Sequence, residues 1–229
     1  MKFRLLMFSL ALTGLWLGCQ ESPEPAEVTQ PETLQLPVSL AITEKRLDEP
    51  LTEDEIQGFL ELVSRFPDGK IPELSPVTIP GRNEPESLEE IAAEARRSIR
   101  ESLTVETLQK GWTPTTSVRR ILRDEQIESR AVISLMLRLS CAVAANSIGN
   151  PRTIRAQQLI MEEKLNQLIA RIQSDQKAIQ PDSEAAVESL KEIASMAEYL
   201  AILSSLPVQS LASVREHQQE LAVILPPVS

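Results

Sequence analysis

At 229 residues, 42% hydrophobic but only 3% aromatic, the chain can build one core from Leu, Ile, Val and Ala, a mixture that suits packed helices better than strands. Seven glycines are too few for the many tight turns of an all-β protein. A formal charge of −10 repels phosphate backbones, which argues against nucleic acid as a partner.

Lys2 and Arg4 precede Leu5 to Leu17, a thirteen-residue apolar run, and Gly18 and Cys19 follow at once. A basic start, a short apolar stretch and a small residue before a cut form a signal-peptide pattern. Thirteen residues rise only about 20 Å as a helix, against a bilayer core of about 30 Å. A cleaved leader is therefore expected rather than a spanning helix. With a cysteine directly after the small residue, the segment resembles a bacterial lipoprotein signal. The resemblance covers residues 1–19 only. It implies a signal peptide at 1–18, diacylglycerol on the sulfur of Cys19, and Cys19 as the new N-terminus. In enterobacterial lipoproteins an Asp after the cysteine favours inner-membrane retention, so Gln20 implies outward sorting. Loss of Lys2 and Arg4 would move the formal charge from −10 to −12.

Residues 19–33 combine Pro23, Pro25 and Pro31 with Glu21, Glu24, Glu27 and Glu32. That composition cannot bury enough surface to fold and predicts a disordered acidic tether. The folded domain is expected at 34–229. Leu34, Leu36, Val38, Leu40 and Ile42 alternate with polar or small residues, the period of an extended segment, and Pro37 keeps it out of a ladder. An unpaired strap across the helices is expected.

The rest of the chain predicts an all-α fold: a single irregular bundle of about six to seven helices, with an antiparallel hairpin near the C-terminus. Thr52 and Glu55 form a capping box ahead of Ile56, Phe59, Leu60 and Val63. Pro67-Asp68-Gly69 is a stop signal. Residues 67–86 then hold Pro72, Pro76, Pro80 and Pro85, a second strap whose Ile71, Leu74, Val77 and Ile79 are expected to cover the core. A second helix over 87–102 turns Leu88, Ile91, Ala92, Ala95 and Ile99 inward, and a short one over Val105 to Lys110 closes at Gly111. Thr113 and Pro114 read as the cap and first turn of the next helix.

Residues 127–147 are expected to be the central helix, because only Ser134, Arg138 and Ser140 are polar between Ala131 and Ala145. Arg130, Ser134 and Arg138 share one stripe of it, which should meet water or an acidic neighbour. Asn150 caps a helix to about Ile179 with a seam of Met161, Leu165, Leu168 and Ile172. After Pro181, and a cap at Asp182 or Ser183, a partner carries Ala186, Leu190, Ile193, Ala197 and Leu200. A last helix spans about Val208 to Ile224, with Leu211, Val214, Leu221 and Leu225 inward.

Chemistry is scarce in this pattern. His217 is the only histidine, which rules out multi-histidine metal sites. It flanks Val214 and Leu221 and is expected at a core edge. Cys141 lies in the most apolar stretch and reads as a small buried hydrophobe. Glu188 and Glu192 point away from their seam, Glu163 points outward, and Glu162 flanks the seam without a Glu-x-x-His partner. Gly69-Lys70 lacks the rest of a phosphate loop. Arg119, Arg120 and Arg123 mix with Asp124, Glu125 and Glu128, a solvated face. Trp112 is expected to anchor a core or hinge, with a contact hot spot as the sharper reading.

No catalytic, cofactor or metal residue is assigned. Cys19 is the one site residue, for lipidation. The expected function is that of a non-catalytic lipoprotein of the cell envelope, membrane-bound through its lipid, located outside the cytoplasm, and binding a protein partner or supporting an assembly. The alternative is a small-ligand carrier or enzyme using Arg65, Asp68, Lys70 and Arg138 in the interhelical spaces.

Overall fold

The structure, a computed structural model, describes Leu40, residues 42–81, 87–175 and 183–225. Cys19, the leader, the tether, and Leu34, Leu36 and Val38 of the first strap lie outside the described residues, as do Pro85, Ile179, Pro181 and Asp182. The compact unit containing the helices runs from Ser39 to Ser229. Among the described residues the fold is all-α, with eight helices and no strand. The expected short helix after Thr104 is among them, and the total is one more than the six to seven foreseen for the bundle.

Helix α1 (Glu53–Ser64) starts where both halves of the capping box form: Thr52 Oγ1 accepts from Glu55 N and the Glu55 carboxylate accepts from Thr52 N. It buries Ile56, Phe59, Leu62 and Val63, each contributing about 1.5–3 kcal/mol of transfer free energy. The expected turn comes next as a single 3-10 turn, Pro67–Gly69, with Asp68 and Gly69 at positive φ. Leu40 and Ile42 of the first strap are buried and approach Gly58 of α1.

In the second strap Ile71 and Leu74 pack on the main core, and Val77 and Ile79 are half-buried. Leu74 bridges to Trp112, and Ser75 N–H donates to Gly111 O at 2.9 Å. A Cβ at position 111 would lie 2.3 Å from Ser75 O, so this close approach requires glycine. Helices α2 (Leu88–Ser102) and α3 (Val105–Gly111) are capped by Ser87 and Thr104.

Helix α4 (Thr116–Asp124) corrects the expected cap. Thr115, not Thr113, is the N-cap, its hydroxyl accepting from Val118 N at 3.3 Å. Pro114 therefore precedes the helix rather than opening it. Three hydroxyls compete over Thr113 to Thr116, and the one reaching the free amide of the buried Val118 wins.

Helix α5 (Ser129–Ile148) is the hub. Every residue from Ala131 to Ala142 is buried, including Arg138 at 2% exposure. Its length and composition would suffice to cross a membrane, yet here it is wrapped by α1, α3, α7 (Ser183–Ser204) and α8 (Val208–Ile224). Asn150 Oδ1 caps α6 (Pro151–Asp175), and α6 pairs with α7 (Ser183–Ser204) as the expected hairpin. Leu165, Leu190, Ala197 and Leu200 of its seams are buried. Helix α2 packs along α7 and closes a second, smaller core with Ala92, Ala95, Leu165, Leu190 and Ala194.

Candidate functional site

The polar stripe of α5 converges on the first strap. Arg130 grips Glu44 through Nε and Nη2, both at 2.9 Å, and also reaches Glu106 at 2.7 Å. One turn on, Ser134 Oγ donates to Lys45 O at 2.5 Å and accepts from Lys45 N at 3.0 Å. A further turn on, Arg138 donates to Pro50 O at 2.7 Å, to Glu49 O at 3.2 Å and to Glu55 Oε1 at 2.8 Å. The spacing of four puts the three side chains in one row, and the strap lies along that row.

Glu55 is the anion at the base. Its Oε1 takes Arg138 and Lys45, the latter at 3.1 Å, and its Oε2 takes Thr52 N and Oγ1. Burial pushes its carboxyl up, and hydrogen bonds from Arg138, Thr52 and Lys45 outweigh burial, so its pKa lies below the usual carboxylate value. Arg138 is buried and meets an acidic neighbour, with its Nε buried and unpaired. Beside this row lies an open cleft of about 850 Å³ between the strap, the corner joining α2 to α3, and α5. Leu47, Leu103, Val105 and Leu137 give it apolar walls, and Ser134 and Arg138 line it.

Glu55 as an ionic partner is the residue that sequence reasoning missed, having assigned it only a capping role. The signal is present in the pattern: Glu55, Phe59 and Leu62 are spaced four and three, so the carboxylate sits on the buried face of α1. A carboxylate on one apolar face and a guanidinium on another are a complementary pair.

The other candidates do not gather at this site. Arg65 is on the surface, paired with Glu61 and Glu125. Asp68 and Lys70 are exposed. His217 sits at the core edge with Nε2 2.7 Å from Glu53 Oε1. Cys141 is fully buried, and burial pushes its thiol up to about 12, which keeps it protonated and inert. Glu162 pairs with Arg96 across to α2, while Glu163 holds Gln167. Glu188 meets Lys191 at 3.5 Å on an exposed face, and Glu192 is exposed. Arg119, Arg120 and Arg123 are exposed. Trp112 is an anchor at 6% exposure, although its Nε1 finds no partner. Among the described residues, no group of three or more His, Cys, Asp or Glu could hold a metal ion.

The chain matches no family model, no curated protein and no solved structure.

Proposed function

We propose that the chain is an exported lipoprotein, held to a membrane by acylated Cys19, whose helical body binds a protein partner or supports an assembly in the cell envelope without catalysis. The observation that carries this reading is the leading segment: Lys2 and Arg4, a mainly apolar run of thirteen residues, then Gly18 and Cys19. The helical body supports it in one way: Arg130, bound to Glu44, and Arg138, bound to the carbonyls of Glu49 and Pro50, are engaged in fastening one strap.

The test is metabolic labelling with a fatty-acid analogue in the wild type and in Cys19→Ala. Label in the wild type alone is expected, and equal label in both ends the proposal. Crosslinking in intact cells then identifies the partner. The cleft beside Arg138 favours a second reading, a carrier of a small ligand. That reading predicts a ligand-dependent rise in melting temperature that Leu137→Arg abolishes.

A further inference from the structure

We infer that the first strap is a latch through which the pull of the N-terminal tether is borne by α5. The inference rests on the lipid-anchor reading for its biological purpose and on the geometry for its physics. Along the chain from Cys19, the strap from Leu40 to Leu51 is the first part of the body among the described residues, and a pull from Cys19 enters the described body there.

The strap is held by directed polar bonds. They lie at three successive levels of α5, from Arg130 to Arg138, about 12 Å of helix. Apolar contacts alone would let an extended segment slide by a residue or two at little cost. Two bonds between Ser134 and the backbone of Lys45, and two from Arg138 to the carbonyls of Glu49 and Pro50, admit one register only. The far end is fastened to a third helix, with Leu51 N–H donating to Ser210 Oγ of α8 at 2.9 Å. Leu40, Ile42 and Leu51 add buried apolar anchors at both ends.

A buried ion pair is a costly way to gain stability alone, because apolar residues of similar size are often as good. Its departure under load is a different matter. Withdrawing the strap strips Arg138 of two carbonyls and Glu55 of Lys45, leaving charges buried with too few partners. That places a steep barrier in front of release. Arg138 and Ser134 are here positioning residues for a backbone segment.

The experiment pulls the purified, unacylated full chain between two handles. One is attached at Cys19 and the other at Arg215→Cys, an exposed site on α8. Cys141, buried and protonated, does not compete for the reagent. Release of the strap yields a distinct lengthening, namely its extended length of about 40 Å less the distance it already spans along α5. In the wild type the strap is expected to stay latched until the body itself unfolds. In Arg138→Met, the lengthening should appear as a separate early step, with a lifetime at fixed load about a hundredfold shorter. If Arg138→Met does not fold, the double variant Arg130→Gln, Ser134→Ala keeps the buried pair and should shorten the lifetime about tenfold. A wild-type strap that pulls free well before the body unfolds overturns the latch, as does a variant that behaves like the wild type. Because a handle replaces the lipid, this result is independent of whether Cys19 is acylated in cells, which the labelling experiment decides.

Discussion

The core around α5 and the arm formed by α2, α6 and α7 are both helical, both patterned with apolar seams, and held together differently. The core encloses large side chains completely: Ile56, Phe59, Leu62, Met136 and Leu139 are each no more than 2% exposed. Helices α1, α3, α7 and α8 and the first strap pack around α5. The arm buries mostly alanines, Ala92, Ala95 and Ala194, with only Leu165 and Leu190 fully inside. Leu88, Ile91, Leu168, Ile169, Ile172 and Ile193 remain half-buried at its margin. Its helices approach closely because small residues allow it, and polar ties at the rim add Arg96 with Glu162, Gln173 with Glu89 at 2.9 Å, and Arg100 with Glu198 at 3.0 Å. Three helices side by side have less interior to fill than a helix wrapped all round. The arm should therefore open at lower free energy than the core.

The largest expected effect separates the two regions at their most different point. Arg138→Ala leaves the buried Glu55 with Lys45 as its one cationic partner beside the Thr52 hydrogen bonds and should cost about 3–5 kcal/mol in chemical denaturation. A loss below about 1 kcal/mol would mean that Lys45 and Thr52 together satisfy the carboxylate. Leu190→Ala comes next, at about 2–3 kcal/mol, the low side of leucine truncations, because the arm can partly collapse around the void. Hydrogen exchange should show faster opening in α2, α6 and α7 with α5 unaffected. Equal acceleration in α5 would show that arm and core unfold as one.

Acid should act on the core before the arm. Both Glu55 and Glu53 have carboxyls held below the ordinary value, the first by Arg138, Thr52 and Lys45 against burial, the second chiefly by Gln57 and His217. A depressed folded-state pKa means stability that is present above about pH 4.5 and is lost as pH falls through the folded value. Melting temperature should fall in that window, and the fall should be shallower in Glu55→Gln. A smaller effect, about 1 kcal/mol, is expected from Thr52→Ala, which removes one capping hydroxyl from α1. The smallest is Lys191→Ala on the exposed face of α7, within about 0.5 kcal/mol.

Much of this architecture was legible in the sequence, because helix period and capping chemistry are local. The capping box at Thr52, the start of α6 after Asn150, the span Val208–Ile224 of α8 and its inward residues Leu211, Val214 and Leu221 come from spacing alone. Where several residues could serve the same local role the pattern could not choose, which is why Thr115 rather than Thr113 caps α4. The stripe of Arg130, Ser134 and Arg138 was visible as a stripe. Its partners were not, since Glu44, Lys45, Glu49 and Glu55 lie more than eighty residues away along the chain.

The leading segment, the charge, the scarcity of histidine and the run of helices belong to the sequence by itself, because each depends on residue types and their neighbours within a few positions. What only the tertiary structure decided is which surfaces meet: that α5 is the hub, that α2 joins the hairpin rather than the main core, and that a buried arginine fastens a strap. Those outcomes depend on burial and on hydrogen bonds between distant segments, which become defined only when the chain closes on itself.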